Sequence, residues 1–434
     1  MTTAHRGALP FGAGSTLIPI QPPPTHPAHH WKEHKPLDPR SFPIPERRSG
    51  MLPCAKPNVA HILINYRITV TYDVIAKKTI IDFPDWEGTP ENADNAKMAT
   101  IVSLAEANNM QRSGIEDMVL AIGDENPVNP ARDWINKLPW DRRDRLSEFY
   151  ATLTTREEFP EELKQVLIFK WLLSIVAAAF LVRNFRARGV LTLQGAQGLG
   201  KSSWVASLVS DPDVRDRIVK LDHHLDPHDK DSVLTAIAHL IVEIGELDSS
   251  FRKDVARLKG FITRDFDKIR RPYARAASEY PRRTVFAATV NDGNFLIDDT
   301  GNSRFWTLPL VAINYDHGID MQQVFAQLKV ELDGGAQWWL TREEEAQLAA
   351  TNLDHRTISS IREKIIDLLN IEGTDKIVER VMGTNDVLQE IGIEDPRNGQ
   401  NKEVAAILRE LVGEPKKVGG YMKWRLSLRR KAYG

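Results

Sequence analysis

The sequence contains only one cysteine, Cys54, which excludes an intramolecular disulfide and a zinc site built from cysteines. Such sparse use of cysteine favours a reducing environment, so we expect a cytoplasmic protein. A formal net charge of -2 excludes a protein that is basic overall. Any attraction to nucleic-acid phosphates must therefore come from local basic surfaces. Hydrophobic residues make up 42% of the chain, which is enough for a substantial core.

Long apolar runs are also missing. The most apolar stretch, residues 166–182, is interrupted by Lys170 and falls short of the roughly 20 residues that a membrane span needs. It therefore predicts a buried helix, and we expect a soluble protein with no membrane partner. The first residues lack a charged start followed by an apolar run, so no signal peptide is expected.

The chain divides by composition into six segments. Residues 1–50 hold ten prolines and five histidines and are predicted to be a disordered leader. These histidines, and those within residues 223–231, could bind a metal, but we interpret them as incidental because organised carboxylate or cysteine ligands are missing. The other predicted segments are an accessory α/β unit (51–125), a helical lead-in (126–188), the core (189–340), a helical bridge (341–374) and a basic winged-helix-like unit (375–434).

Residues 195–202, GAQGLGKS, match the phosphate-loop pattern G-x-x-x-x-G-K-[ST] without a mismatch. A predicted strand precedes them and a predicted helix follows, which is the context that a nucleoside triphosphate site needs. Backbone N–H groups can surround the β-phosphate, Lys201 can contact the β- and γ-phosphates, and Ser202 can offer a hydroxyl to Mg²⁺. A dinucleotide site is disfavoured because Gly198-x-Gly200 is followed by Lys201, Ser202 and Ser203 and the third glycine is missing. We expect ATP or GTP to be bound by Gly195, Gln197, Gly198, Gly200, Lys201, Ser202 and Ser203.

Residues 238–246 are predicted to form a buried strand that ends in two acids. In a P-loop NTPase, one carboxylate at this strand end holds the magnesium shell and a second polarises the attacking water. We assign Glu243 to the metal and Glu246 to the water. The reverse assignment stays open, because the glutamates stand three residues apart rather than side by side, and so does a role as surface acids.

A third predicted strand, residues 284–290, ends in Asn291, whose amide can sense the γ-phosphate; an Asx-turn is the alternative. Arg304 follows on a turn flanked by aromatic residues. Its guanidinium can act as a finger that stabilises charge on a neighbouring subunit's ATP. Local pairing of Arg304 with an aspartate at 298 or 299 is the alternative.

Between the acidic strand and the third strand lies an insert, residues 259–283, with eight basic and three acidic side chains, a formal charge of +5. Cationic side chains can track a phosphate backbone while interleaved aromatics stack on bases. A solvated basic loop, a subunit contact and a contact with ATP in trans are the alternatives. The residues expected to contact nucleic acid are Lys259, Arg264, Lys268, Arg270, Arg271 and Tyr273.

The C-terminal segment is predicted to form two helices, capped at Thr384–Asp386 and at Asn401, and then a basic hairpin. Residues 401–434 carry nine basic and three acidic side chains. This order is typical of a small winged helix, and a DNA-binding wing is favoured over a basic tail without a DNA role.

The order of these motifs resembles the virulence-associated protein E family, phage- and prophage-borne proteins related to superfamily 3 helicases. The resemblance covers about residues 115–335. It rests on GAQGLGKSSW, on the stretch from VEIGELDSS to NSRFWTL, and on the upstream NPARDWINKLPWDRRDRL. It implies an AAA+-like ring and supports the roles given to Lys201, Glu243, Glu246, Asn291 and Arg304. Ser303 stands where family members often have a second arginine.

These features together predict an α/β P-loop NTPase core of the superfamily 3 helicase type. We expect a Mg-ATP-driven DNA helicase that acts in the replication of a phage or mobile element and forms a homo-oligomeric ring, with a hexamer as the first expectation. Any primase would have to be another chain. An ATPase that loads or moves DNA without separating strands, and a nucleotide-switched interaction protein, are the alternatives.

Overall fold

The computed structural model describes residues 35–84, 86, 88–245, 260–269, 278–291, 304–352, 360–369, 377–394, 396 and 398–429. The chain forms two compact units. The first comprises Met1–Tyr72 and Thr79–Pro127, and the second comprises Asp73–Lys78 and Val128–Gly434.

The first unit packs three helices against a small sheet whose strand order is β2-β1-β3. Two of its helices, Ala93–Ala107 and Ile115–Asp124, are separated by a turn at Gly114 with φ of 91°. Part of the predicted leader is ordered, contrary to expectation, because Phe42 is buried in this core and Ile44 N donates to Asn58 Oδ1 at 2.9 Å. The elements are α1 (Lys56–Asn65), β1 (Thr69–Asp73), β2 (Lys78–Asp82), α2 (Ala93–Ala107), α3 (Ile115–Asp124) and β3 (Pro127–Val128).

The second unit is built on a six-stranded sheet. Its described elements before residue 353 are α4 (Pro130–Ile135), α5 (Leu146–Tyr150), β4 (Leu153–Thr155), α6 (Glu161–Phe180), β5 (Val190–Gln194), α7 (Lys201–Ser207), α8 (Pro212–Ile218), β6 (Val219–His223), α9 (Lys230–Ile237), β7 (Ile241–Ile244), β8 (Phe266–Ile269), β9 (Ser278–Pro281), β10 (Val285–Val290), β11 (Phe305–Ile313), α10 (Met321–Asp333) and α11 (Arg342–Asn352).

The sheet has the strand order β4-β11-β5-β10-β7-β6. Strands β11, β5, β10, β7 and β6 are parallel, and only β4 runs antiparallel to its neighbour. The inner strands β5, β7 and β10 are buried along their whole length, because helices cover both faces of a parallel sheet and such strands become apolar throughout.

One face of the sheet is covered by α6 and α7. Trp171 of α6 stacks on Trp204 of α7 with ring centroids 6.3 Å apart, and its indole N–H donates to Phe286 O at 2.8 Å. Helix α6 is long and apolar enough to cross a membrane, but 78% of its apolar window is buried inside the protein. It is therefore a buried core helix, as the interrupted apolar run predicted.

The acidic strand is shorter than predicted. Helix α9 runs to Ile237, and Ala238 is its C-cap, so β7 begins only at Ile241. A short apolar run does not by itself distinguish a strand from the end of a buried helix.

The C-terminal part has its own core and a three-stranded antiparallel sheet of order β12-β14-β13. The predicted caps are displaced. Gly383 rather than Thr384 caps the first helix of the predicted pair, with its N–H donating to Asp386 Oδ2 at 2.8 Å, and the second helix begins at Asn398 rather than at Asn401. The elements are α12 (Ser360–Leu368), β12 (Ile377–Met382), α13 (Thr384–Glu390), α14 (Asn398–Val412), β13 (Lys416–Val418) and β14 (Tyr421–Arg429).

Candidate functional site

The glycine-rich loop lies at the carboxyl edge of the parallel sheet, between β5 and α7. Its first residue is tied to the neighbouring strand, because Gly195 N donates to Val290 O at 3.2 Å. A Cβ at Gly195 would lie 2.8 Å from Leu310 O, and one at Gly200 would lie 2.5 Å from the ring of Tyr315. Gly200 also has φ of 92°, which side-chain-bearing residues rarely adopt. Two of the glycines are therefore required by the packing of the loop.

Lys201 is buried, and three acceptors surround its ammonium group. Its Nζ donates to Gly195 O at 2.8 Å, to Ala196 O at 2.9 Å and to Asn291 Oδ1 at 2.9 Å. Burial lowers the pKa of Lys201, and the nearby carboxylate of Glu243 partly offsets this shift. The structure thus brings the predicted lysine and the predicted sensor amide into direct contact at the loop.

Glu243 is fully buried at 0% exposure, and three donors satisfy its carboxylate. Oε1 accepts from Ser202 Oγ and from Thr289 Oγ1, both at 2.8 Å. Oε2 accepts from the backbone N–H of Asp222 at 2.8 Å. A buried carboxylate is tolerated only when it is hydrogen-bonded in this way, so Glu243 joins α7, β10 and the end of β6 at one point.

The Ser202 hydroxyl and the Glu243 carboxylate form a pair of hard oxygen donors beside the loop. Mg²⁺ prefers one or two protein oxygens and takes its remaining ligands from water and phosphate. This donor pair fits such a metal. Among the residues that the structure describes, no group of three or more His, Cys, Asp or Glu side chains could hold a metal by itself, and a Mg²⁺ ion here would need oxygens from a nucleotide.

Three other predicted loop residues are accessible to solvent, unlike Lys201. Gln197, Gly198 and Ser203 are exposed, and a Cβ at Gly198 would meet nothing within 4 Å. Glu246, the predicted base, lies outside the described residues, so its assignment stays a prediction.

Arg304 lies at the opposite edge of the sheet. It immediately precedes β11, whose first residue, Phe305, is in parallel register with Val190 at the start of β5. The glycine-rich loop follows the other end of that five-residue strand, roughly 15 Å away at ~3.3 Å per residue. Arg304 is therefore separated from Lys201 of its own chain by the length of a strand.

A cavity of about 450 Å³ surrounds Arg304. Arg186 is ion-paired with Asp265 at 2.9 Å and is about half exposed. Three guanidinium groups in one cavity favour an anionic ligand. The residues that line the cavity are Arg186, Arg188, Thr263, Arg304, Trp306, Trp339, Leu340 and Glu345.

Two basic side chains of the insert are buried, although the sequence suggested a solvent-exposed basic segment. Arg282 is 1% exposed and forms a double hydrogen bond with Asp267, with both distances 2.6 Å. Arg283 is also buried, and its Nη1 faces the carbonyls of Ala178 and Ala179 at the end of α6. These two arginines anchor the insert, and counting them toward a nucleic-acid surface was wrong.

Of the residues predicted to contact nucleic acid, Arg264 and Lys268 are exposed. Lys268 lies 3.5 Å from Glu279 across the β8–β9 hairpin, where an exposed pair contributes little stability. The remaining four, Lys259, Arg270, Arg271 and Tyr273, lie outside the described residues, and their roles stay predictions.

Three residues of the site were missed in the sequence. Thr289 shares the carboxylate of Glu243 with Ser202, the backbone of Asp222 binds its other oxygen, and Tyr315 covers Gly200. Thr289 could have been found, because strand alternation places it on the same face as Asn291. The other two depend on the order of strands in the sheet.

The fold and site define a mixed α/β protein with a parallel sheet and a glycine-rich loop at its carboxyl edge. Residues 135–357 match the virulence-associated protein E-like domain, which is slightly more than half of the chain. The protein belongs to the virulence-associated protein E-like family, and the resemblance stated above is confirmed.

No curated protein matches the chain. Two solved structures of the NrS-1 C-terminal region, both described as the A form in the apo state, align with it at 14% and 15% identity. Each alignment covers 86% of this chain, together with 99% and 98% of the other chain, and the TM-score is 0.38 in both cases.

Proposed function

We propose that this protein is a Mg-ATP-dependent P-loop motor of the AAA+-like, superfamily 3 helicase type, which separates DNA strands during replication of a phage or mobile element. The observation that carries the proposal is the convergence of Lys201, Ser202, Glu243 and Asn291 on one glycine-rich loop. Ligands of open α/β sheets bind at the carboxyl ends of the strands, which is where these side chains meet.

The substrate is the triphosphate of ATP. Lys201 Nζ already points to three oxygen acceptors around the loop, and phosphate oxygens are stronger acceptors for an ammonium group than carbonyls are. The N–H groups of residues 198–202 lie at the start of α7, where an anion is favoured. The side chains of Lys201 and Asn291 would orient the β- and γ-phosphates.

Ser202 and Glu243 are the residues that would hold Mg²⁺, which supplies positive charge next to the transferred phosphate when bound. The hydroxyl of Ser202 is kept in place by the Glu243 carboxylate at 2.8 Å, so the two donors are preorganised. Glu246 is the proposed base for the attacking water, because it stands three residues after Glu243 in the sequence.

The order of strands supports the AAA+-like assignment. Strand β10, which Asn291 directly follows, lies between the strand before the loop, β5, and the acidic strand, β7. A strand placed between these two brings the polar side chain that follows it to the carboxyl edge of the sheet, beside the loop.

Arg304 is proposed to act on the ATP of a neighbouring subunit. It lies a strand length from Lys201 in its own chain, and its cavity holds two further arginines, Arg186 and Arg188. An arginine supplied by a neighbour couples hydrolysis to assembly, and head-to-tail contacts of this kind close into rings. We propose a homo-oligomeric ring, with six subunits as the first expectation, in the cytoplasm of a bacterial or phage-infected cell.

DNA is proposed to contact the insert between β7 and β10, through Arg264 and Lys268 and through the predicted residues outside the described part. A primase would be a separate chain. A motor that loads or moves DNA without separating strands has the same ATP site and differs only in what it does to a fork.

Strand displacement from a forked duplex tests the proposal. The wild-type chain with Mg-ATP should release the labelled strand, the Lys201→Ala variant should not, and an exposed control, Lys137→Ala, should match the wild type. ATP hydrolysis stimulated by single-stranded DNA without displacement would point to a loader. Hydrolysis that ignores DNA would point to a nucleotide-switched interaction protein.

A mixing experiment tests the arginine in trans. Lys201→Ala and Arg304→Ala chains should each be inactive alone. When they are mixed in equal amounts, about a quarter of the interfaces in a cyclic ring pair an intact loop with an intact arginine, so roughly that share of wild-type hydrolysis should return. No recovery, in mixtures shown to co-assemble, would contradict the action of Arg304 in trans.

A further inference from the structure

The C-terminal sheet has one buried and one exposed face. On β14 the side chains of Trp424, Leu426 and Leu428 are buried against the helices. Residues 421, 423 and 425 alternate with them and therefore point to the other side. On this outer face β12 contributes Val381 opposite Arg425 and Glu379 opposite Ser427, and the side toward β13 is basic.

Three cations and one aromatic ring share that outer face. Lys416 of β13 is directly opposite Lys423 of β14 in the register, and Arg425 follows two residues later on the same strand. Tyr421, at the hairpin tip, is 74% exposed and lies opposite Val418. We call Lys416, Lys423, Arg425 and Tyr421 the outer basic face.

The two lysines repel each other. Like charges directly opposite on neighbouring strands destabilise a sheet, and the ion pair between Lys423 and Asp386 is long, at 3.9 Å. Within the described part of the chain, neither Lys416 nor Arg425 has an ion-pair partner. The facing pair of Lys416 and Lys423 costs stability in the free protein. An anionic ligand bound between them would relieve the repulsion, which gives the pair a function.

Edge protection does not account for this pattern. Lysines on an edge strand discourage pairing with other sheets, and that would explain Lys416, since β13 is an edge strand. It does not explain Lys423 and Arg425, because β14 is the central strand of the sheet. Helix α14 is a weaker candidate for an anion site. Arg409, the basic side chain that the structure describes on this helix, is already paired with Glu414 at 3.4 Å.

We propose that the outer basic face binds the phosphate backbone of duplex DNA, with Lys416, Lys423 and Arg425 on the phosphates and Tyr421 packed on a sugar or an end base. Charge complementarity favours a polyanion over a protein partner, and an exposed tyrosine at the tip suits a nucleic acid because its ring can stack. This proposal rests on the proposed function, since the ligand is the DNA on which the motor acts.

Salt-dependent binding of the full chain to a blunt 20-base-pair duplex, followed by fluorescence anisotropy, tests the proposal. Each phosphate contact contributes about 0.9 to the slope of log K against log salt. The variant Lys416→Gln/Lys423→Gln should therefore lower the slope by roughly 1.8. The matched control Lys137→Gln/Arg143→Gln, with side chains 66% and 69% exposed, should leave it unchanged. Tyr421→Ala should weaken binding roughly five- to a hundredfold with little change in slope.

Two further readouts separate the outcomes. The Lys416→Gln/Lys423→Gln variant should unfold at the same or a higher temperature, since the repulsion is removed, which excludes misfolding as the cause of weaker binding. Its ATP hydrolysis without DNA should equal that of the wild type. If the wild type hydrolyses ATP but the variant binds duplex with an unchanged slope, the outer basic face is not a DNA site and the motor proposal stands. If the slope falls but the wild type never hydrolyses ATP, the motor proposal fails alone.

Discussion

The carboxylate of Glu243 offers the sharpest test of the site's geometry, through the substitution Glu243→Gln. In the structure, its two oxygens accept from Ser202 Oγ, Thr289 Oγ1 and the N–H of Asp222. An amide has one oxygen, so its NH₂ group must face at least one of these donors. The side chain is fully buried, and water cannot replace the lost acceptor.

The magnitude follows from that loss. A buried donor left without an acceptor costs about 1–3 kcal/mol, so we expect Glu243→Gln to lower the free energy of unfolding by roughly 2 kcal/mol. For a domain of a few hundred residues this corresponds to a fall in Tm of about 4–8 °C. Glu331→Gln, at an exposed position of α10, should change Tm by less than about 1 °C.

Thermal unfolding and Mg-ATP turnover should be measured on the same preparations. Glu243→Gln should lose turnover as well as stability, because it removes a proposed magnesium ligand. Thr289→Val also removes one hydrogen bond from the carboxylate but leaves the ligand, so it should lose stability and retain turnover. A Glu243→Gln protein with unchanged Tm and unchanged turnover would refute the three-donor arrangement and the proposed metal role together.

Three further predictions concern separate parts of the structure. Gly200→Ala forces a side chain into φ of 92° and against Tyr315, so it should cost about 1–3 kcal/mol and weaken ATP binding, measured by calorimetry. Burial lowers the pKa of His223 below its ordinary value of 6.5. The stability that the neutral imidazole contributes is therefore complete above pH 6.5 and is lost as the pH falls through the folded-state pKa. The substitution His223→Asn should reduce the slope of the unfolding free energy against pH, measured with denaturant, by up to ~1.4 kcal/mol per pH unit. Asp267→Ala leaves Arg282 buried without its counter-charge and should cost about 3–5 kcal/mol, measured by urea unfolding.

The substitutions at Gly200 and Asp267 each have a matched control variant, and the prediction for His223 has a contradicting outcome. Gly198→Ala has positive φ but open space around the added Cβ, so it should cost less than Gly200→Ala; equal effects would mean that the ring of Tyr315 is not a constraint. Asp265→Ala breaks the exposed pair with Arg186 and should cost under about 1 kcal/mol. A stability profile that rises as pH falls below 6.5 would contradict the burial of His223.

The geometry of the glycine-rich loop could be predicted from the sequence because its information is local. Eight consecutive residues, a preceding apolar strand and a following helix determine where Lys201 and Ser202 lie relative to each other. Asn291 could be predicted for the same reason, since a polar residue after a buried parallel strand is delivered to the carboxyl edge. The family could be predicted because several such local motifs occur in a fixed order.

Other features depend on contacts between distant parts of the chain. Arg282 and Arg283 are charged in the sequence, and only the fold shows that Asp267 and the end of α6 bury them. The distance of Arg304 from Lys201 follows from the parallel register of β11 and β5, which no local pattern contains. The start of β7 was predicted too early for a different reason, because a short apolar run is compatible both with a strand and with the end of a buried helix.

The binding of Mg-ATP to the full chain, measured by isothermal titration calorimetry, tests the central claim most directly. The wild type and the exposed control Lys137→Ala should each bind one nucleotide per chain. Lys201→Ala should bind at least about tenfold more weakly, since one charge-assisted hydrogen bond is worth roughly 1.5–3 kcal/mol. A Lys201→Ala chain that binds Mg-ATP as tightly as the wild type, or a folded wild type that binds none, would contradict the account.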